Sequence, residues 1–187
     1  MMKSEQKPIF FDMETTGFYP DRHKIITIQV REDGKNTIWK EWDLGEEGVI
    51  NEFYRFTNFK IVRENSKFIG FNQLEFDLQF FNARLYELKI DNLPKIWERV
   101  NRHLAWIDLR QLLGESVGHF PEWRKHFAGK SYGVPGKMIP IFYEKGEYTK
   151  IEEYIEDELE GFEEVYNAIK KELFYSELKK LRDELLK

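Results

Sequence analysis

Two acidic side chains, Asp12 and Glu14, follow the apolar run Ile9-Phe10-Phe11. Alternate residues of a strand point to the same side, so both carboxylates should project together from one face. Like charges at that spacing repel each other unless a cation lies between them, and carboxylate oxygens suit Mg²⁺ or Mn²⁺. The pair therefore predicts a divalent-metal site, although an arbitrary Asp-x-Glu is more often a solvated strand end.

The small polar segment Thr15-Thr16-Gly17 comes directly after this pair. It can turn sharply and offer backbone N–H groups to a phosphate or sugar. Phe18 and Tyr19 follow, and each could stack a terminal base for about 1–3 kcal/mol, or could be ordinary packing residues. The basic run Arg22-His23-Lys24 lies beside them.

A third carboxylate, Asp77, lies in the first turn of a predicted helix that follows a predicted strand. The helix dipole favours an anion there, so a purely electrostatic role also accounts for it. Asn72, at the turn between the two elements, is either the helix N-cap or a polar contact to substrate.

Further acids lie on a predicted helix that begins at Ile151. Asp157 and Glu158 stand three and four residues after Tyr154, so both can share its side of the helix. The buried stripe of this helix is marked by Ile151, Ile155, Leu159, Phe162, Val165 and Tyr166.

The elements that must position these groups follow from hydropathy. Strands are predicted at 9–12, 25–30, 36–42, 67–71 and 104–107. Ile26, Ile28 and Val30 should share one face of the second strand, and Asp33-Gly34 is a hairpin signal.

Helices are predicted at 46–56, at 74–88 and from Ile151 onward, with a break near Tyr175-Ser176, and 120–140 should be irregular. The order predicts an α/β mixed sheet with an antiparallel three-strand start, then strand–helix alternation, and helices on both faces. This suits a ribonuclease H-like architecture.

Composition sets further limits. The net charge is −5, which argues against a general nucleic-acid binder but not against an enzyme that holds one strand end. The absence of Cys excludes disulfides and thiolate chemistry. No stretch reaches the roughly 20 apolar residues of a membrane helix. The start, Met1 to Lys7, lacks a secretory pattern, so we expect a cytoplasmic protein. The Lys- and Glu-rich composition is typical of thermophiles.

Two segments resemble motifs of the DEDD superfamily of 3′–5′ exonucleases, the proofreading type. FDMETTG at 11–17 resembles the first motif, and FNQLEFDLQFF at 71–81 resembles the second. The two occur in family order, and the pattern spans Ile9 to about Tyr166. The resemblance implies one exonuclease domain over 1–187, with its core at about 8–170 and a C-terminal helical extension at about 171–187.

The third family motif, Tyr-x-x-x-Asp in one branch, resembles the segment at Tyr154. Glu158 then takes the Asp position and Leu159 the following Val position, which favours Glu158 and keeps Asp157 as the alternative. His103 and Asp108 match the spacing of the other branch, but they come too soon after the second motif. Asp108 is therefore predicted to be structural or peripheral.

The resemblance implies two-metal phosphodiester hydrolysis at the 3′ ends of single-stranded DNA or RNA, releasing nucleoside 5′-monophosphates. Asp12, Glu14, Asp77 and Glu158 would hold two Mg²⁺ or Mn²⁺ ions about 4 Å apart. Tyr154 would aim the attacking water, its phenol being protonated at neutral pH. Thr15, Thr16, Gly17, Phe18 and Asn72 are the predicted substrate contacts.

A second basic group, interleaved with aromatic residues and glycines, could form a loop that contacts the strand. Its members are Trp123, Arg124, Lys125, His126, Phe127, Gly129, Lys130, Tyr132, Gly133, Gly136 and Lys137. Scattered surface charge explains the same residues equally well.

Two other functions use the same features. A ribonuclease H-like endonuclease or resolvase would share the carboxylate chemistry, although the segment from Asn72 to Asp77 speaks against it. A non-catalytic nucleic-acid-binding module would explain why the third motif lacks its Asp.

Overall fold

A computed structural model gives the fold and describes residues 7–63, 66–102, 104–113, 124–125, 129 and 134–185, with backbone alone at 61–63, 113 and 173–185. Five strands form one sheet in the order β3-β2-β1-β4-β5. They are β1 (Pro8–Thr15), β2 (Ile25–Glu32), β3 (Lys35–Lys40), β4 (Lys67–Gly70) and β5 (Ala105–Asp108).

The strand directions are mixed. β1, β2 and β3 are antiparallel neighbours, whereas β4 pairs parallel with both β1 and β5. Asp33 and Gly34 join β2 to β3 with φ values of 50° and 74°, the left-handed pair of a tight hairpin turn. The predicted α/β mixed sheet with an antiparallel start is confirmed.

The helices cover both faces of the sheet. The longer ones are α1 (Glu41–Arg63), α2 (Asp77–Glu87) and α6 (Tyr148–Leu185). The short ones are α3 (Leu93–Ile96), a π-helix (Trp97–Arg102), α4 (Leu109–Leu113), a 3₁₀ turn (Gly136–Met138) and α5 (Ile139–Glu144). None of the helices among the described residues combines the length and apolar character that crossing a membrane requires.

Alternation along β1 divides the core into two layers. Ile9, Phe11 and Met13 pack with α1 and α2 on one face, whereas Phe10 packs with α5 and α6 on the other. Each fully buried side chain of this size contributes about 1.5–3 kcal/mol relative to exposure. Asp12 and Glu14 alternate with the first set, so the strand presents them toward α6.

Strand β2 differs from its prediction at one residue. Glu14 pairs with Thr27 and Thr15 pairs with Ile25, so Ile26 has no partner in the ladder. This bulge places Ile26 in the α6 layer, while Ile28 and Val30 lie in the opposite layer. The prediction that all three share one face is wrong because period-two alternation holds only where the register is continuous.

Several element bounds also differ. β1 continues through Asp12 to Thr15, β3 ends at Lys40, and α1 is longer than predicted, with a kink at Gly45 (φ 69°). α2 begins only at Asp77. α5 starts inside the segment predicted to be irregular, and α6 continues through 175–176 without the predicted break.

Candidate active site

The first two acids lie on the central strand of the sheet. Asp12 and Glu14 stand opposite Gln29 and Thr27 of β2 in the strand ladder. The antiparallel ladder with β2 fixes the backbone at both residues, and pairing with β4 fixes the start of β1, so both carboxylates hold defined positions on the α6 face. This is the shared direction that the Asp-x-Glu spacing predicts.

Helix α6 brings the third acid. Ile155 and Leu159 bury one side of α6 against the sheet, and Glu158 lies next to that side. One carboxylate oxygen each of Asp12, Glu14 and Glu158 lie within 4.8 Å of one another. The carboxyl groups of Asp12 and Glu158 also hydrogen-bond each other.

Asp157 points elsewhere. Its Oδ2 lies 2.7 Å from Nη1 of Arg124, and its side chain is 42% exposed, whereas Arg124 is 1% exposed. Arg124 also contacts Glu164 at 3.2 Å. The structure therefore brings Glu158, and not the alternative Asp157, to the cluster.

Asp77 is buried at the first position of α2. It is not one of the three residues whose oxygens lie within 4.8 Å of one another. Its charge nevertheless raises the pKa values of both Glu14 and Glu158, and the Asp12 charge raises the pKa of Asp77. Asp77 is thus the fourth, slightly separate member of one electrostatic group.

Asp108 supports the turn that leads to Asp77. Its Oδ1 accepts hydrogen bonds from the N–H groups of Asn72 (2.8 Å) and Arg110 (2.9 Å), and its Oδ2 accepts one from Leu74 (3.1 Å). This is the structural role predicted for Asp108. Asn72 is not the N-cap: it has a φ of 63°, and its side-chain oxygen accepts from Arg110.

The enclosed acids resist ionisation. Burial, opposed in part by hydrogen bonds from Met13 and Gln29, raises the pKa of Asp12 from 3.8 to about 6. Burial first, and the neighbouring charges second, hold the pKa values of Glu14, Asp77 and Glu158 well above their usual range. Without a counter-ion, the four groups cannot all be charged at neutral pH at low free energy.

A divalent cation fits this set of ligands. The converging atoms are all carboxylate oxygens, which hard cations prefer, and their mutual repulsion is the strain that a cation relieves. Asp12, Glu14 and Glu158 form the cluster that could hold it, with Asp77 beside them.

Tyr154 stands one helical turn before Glu158. Its phenol hydrogen-bonds the Glu158 carboxylate, and burial together with the nearby acids raises the pKa of Tyr154 well above its usual range. A Cβ on Gly136 would come within 2.9 Å of the phenol oxygen, so glycine there leaves room for the ring. The Tyr154 O–H is therefore a donor throughout the neutral range.

The predicted substrate segment forms a compact turn. Thr15 Oγ1 donates to the Gly17 carbonyl at 2.8 Å, and Thr16 Oγ1 accepts from the Lys24 N–H at 3.0 Å. A Cβ on Gly17 would meet the His23 ring at 2.5 Å, so the ring can pack this closely because residue 17 is glycine. The threonine side chains thus shape the turn.

Two aromatic side chains project from this turn. Phe18 is 79% exposed and lies edge-on to the Phe76 ring, with ring centroids 6.1 Å apart. Tyr19 is 58% exposed, and the Arg22 guanidinium lies 5.2 Å from its ring centroid. Ordinary core packing does not account for this exposure.

The second basic group lies mostly outside the described residues. Those outside are Trp123, His126, Phe127, Lys130, Tyr132 and Gly133 of that group, and His103. Within the described part, Arg124 is buried in its ion pairs with α6 and Lys125 is exposed. Arg124 is therefore a structural contact and not part of a basic surface.

Sequence reasoning missed Gln29, whose Nε2 donates to Asp12 Oδ2 at 2.8 Å. The available signal was an amide residue inside the run Ile25 to Val30, which is otherwise made of Ile, Val and Thr27. It also missed Arg84, which contacts Glu46 at 2.8 and 2.6 Å and the Pro20 carbonyl at 2.9 Å. Arg84 thereby ties α2 to the turn that carries Phe18.

The raised pKa values predict an unusual stability profile for the metal-free protein. The folded state keeps protons that the unfolded state has released, so stability is highest on the acid side and falls as pH rises through the Asp12 pKa near 6. The lowered pKa values of Glu41 and Asp91 act below that window. We expect the melting temperature in EDTA to fall from pH 5 to pH 8, and Mn²⁺ to restore it at pH 8. A melting temperature that rises across this range would contradict the cluster.

Comparisons with known proteins agree with the fold. An uncharacterized protein of Methanocaldococcus jannaschii is 32% identical over 184 residues, covering 84% of this chain and 92% of that protein. The family B DNA polymerase of the hyperthermophilic archaeon Pyrobaculum calidifontis superimposes with a TM-score of 0.71 at 16% identity. The match covers 89% of this chain but only 25% of the polymerase, so this chain spans a quarter of that protein's length. The family model described as RNase_H superfamily matches residues 9–160, and the chain therefore belongs to the RNase H superfamily.

Proposed function

We propose that this protein is a divalent-metal-dependent 3′–5′ exonuclease, which releases nucleoside 5′-monophosphates from the 3′ end of single-stranded DNA or RNA. The observation that carries the proposal is the convergence of Asp12, Glu14 and Glu158 within 4.8 Å, with Asp77 beside them. Membership of the RNase H superfamily supports a nuclease, and the two motifs support the exonuclease branch.

Asp12, Glu14, Glu158 and Asp77 would hold Mg²⁺ or Mn²⁺. When bound, such ions activate water and stabilise the charge of a phosphodiester transition state. The carboxylates give up the protons that burial favours when the cation replaces them. Tyr154 keeps its proton, so it donates a hydrogen bond to Glu158 or to the attacking water and does not act as a base.

The exposed turn after β1 would grip the strand end. Phe18 offers a free aromatic face, and a base stacked on such a face gains about 1–3 kcal/mol. Arg22 and Tyr19 form a cation–π pair beside it that presents positive charge toward phosphates. Arg84 anchors this turn to the helix that carries Asp77, so the strand-binding turn and the acids keep a fixed separation.

A single-strand assay tests the proposal. We expect a 5′-labelled oligonucleotide to shorten stepwise in Mg²⁺ or Mn²⁺. In EDTA it should stay intact, because the chelator removes the cations from the acid cluster. A 3′-phosphorylated oligonucleotide of the same sequence is the matched substrate control and should resist attack at its end.

A circular single strand separates the remaining functions. Cleavage of the circle would show an endonuclease and contradict the exonuclease proposal. A protein that binds Mn²⁺ and strand without cutting either substrate would be a binding module. We further propose that the whole chain acts as one exonuclease domain, with the part of α6 beyond residue 170 as an extension.

A further inference from the structure

A polar row runs along β2 beside the acids. Gln29 and Thr27 stand opposite Asp12 and Glu14, and the side chains of both are fully buried, with 0% exposure. The residues that alternate with them, Ile28 and Val30, pack in the opposite layer of the core. Apart from the acids and Arg31, which pairs with Glu163 of α6, this face packs apolar side chains, and a fully buried primary amide and hydroxyl are uncommon in such a layer.

Folding alone does not explain Gln29. Its Oε1 has no hydrogen-bond partner among the described residues, and a buried polar atom in that state is destabilising. Its Nε2 makes one short contact, to Asp12 Oδ2 at 2.8 Å. The reversed amide would direct an oxygen at that carboxylate, so the donor orientation is the favourable one.

The contact restricts Asp12. The β1–β2 ladder fixes both backbones, so a hydrogen bond from Gln29 to one carboxylate oxygen limits rotation of the carboxylate plane, together with the contacts of Asp12 to Met13 and Glu158. Glu14 and Glu158 converge with Asp12, and a cation is held well only when such ligands keep their orientation.

We propose that Gln29 is a positioning residue, which orients the Asp12 carboxylate for cation binding through this hydrogen bond. The proposal rests on the metal site described above. Gln29 itself is enclosed and touches no substrate. Losing such an outer partner typically weakens metal affinity by about 10–100-fold.

Titration calorimetry of the metal-free protein with Mn²⁺ tests this without using activity. We expect Gln29→Met, which keeps the length of the side chain but lacks the amide, to bind Mn²⁺ about 10–100-fold more weakly. Thr27→Val is the matched control, since it removes a buried polar group from the same row without touching Asp12. Its Mn²⁺ affinity should stay within about threefold of wild type. In the strand assay, Gln29→Met should lower kcat and leave KM nearly unchanged.

The outcomes separate the proposals. A wild-type protein that binds no Mn²⁺ overturns the metal site, and this role for Gln29 with it. If wild type binds Mn²⁺ and Gln29→Met binds it with the same affinity, the positioning role alone is overturned. The same follows if Thr27→Val loses as much Mn²⁺ affinity as Gln29→Met. Gln29→Asn, whose shorter amide cannot reach Asp12, gives the same readout should the methionine variant fail to fold.

Discussion

Replacing Asp12 by asparagine should lower the turnover of single-strand hydrolysis by at least about a hundredfold while the fold survives. Asp12 contacts Glu158 and Gln29 and belongs to the cluster that would hold the cation, so a neutral side chain of the same shape removes a ligand charge. The same change removes one of several repelling charges. The melting temperature of the metal-free variant at pH 8 should therefore equal or exceed that of wild type.

The surface variant Asp33→Asn is the control for this experiment. Asp33 lies in the β2–β3 hairpin, where it pairs with Lys7 at 2.6 Å in an exposed ion pair. Asp33→Asn replaces a carboxylate by an amide, as Asp12→Asn does, but at a site away from the cluster. We therefore expect full activity and little change in stability. Normal turnover in Asp12→Asn, with metal present, would show that Asp12 is not part of the reaction.

Glu158→Gln and Asp157→Asn should have opposite consequences, although the two residues are adjacent. Glu158 lies in the cluster, so its amide variant should lose at least about a hundredfold in turnover and bind Mn²⁺ weakly. Asp157 pairs with buried Arg124, so its amide variant should keep turnover within a few-fold. It should lose about 1–3 kcal/mol of stability because the buried Arg124 guanidinium loses one of the two carboxylates with which it forms ion pairs.

Turnover, Mn²⁺ affinity and melting temperature should be measured on both variants. Glu158→Gln should lower turnover and Mn²⁺ affinity, whereas Asp157→Asn should lower the melting temperature. A dead Asp157→Asn enzyme with normal stability would mean that α6 presents its other acid to the site. Full turnover and full Mn²⁺ affinity in both variants would show that neither acid of α6 is a ligand, and would contradict the role of Glu158 in the cluster.

The sequence could predict the acids that depend on local periodicity. Asp12 and Glu14 follow from strand alternation, and Asp77 follows from its place in the first turn of a helix. The apolar stripe with Ile155 and Leu159 sets the rotation of α6, and the structure brings Glu158 to the cluster on that frame. The choice between Asp157 and Glu158 still needed the family resemblance, because both lie near Tyr154 on a helical surface.

What could not be predicted depends on pairing between distant segments. The bulge at Ile26 arises from the register of β2 against β1, which no local pattern reveals. The contact of Gln29 with Asp12 depends on that same register. Arginine is usually a surface residue, so the sequence favours an exposed Arg124. Only the packing of Arg124 against α6 shows that it is buried between two acids.

The predicted bounds of α1 and α2 were wrong where side-chain contacts override the local hydrophobic pattern. Leu74 continues the apolar spacing of α2, yet its N–H is taken by Asp108, and α2 begins three residues later at Asp77. Trp42 continues the alternation of β3 but lies in α1, where it stacks on Tyr148 with ring centroids 4.3 Å apart.

The delivery of Glu158 by α6, far along the chain from Asp12 and Glu14, has a consequence for biosynthesis. During translation, β1 and β2 emerge early and can pair, but the carboxylates they carry have no third partner until α6 has been made and has docked on the sheet. A nascent chain therefore cannot complete the cation site before α6 has docked. Any activity that depends on that site is absent until then.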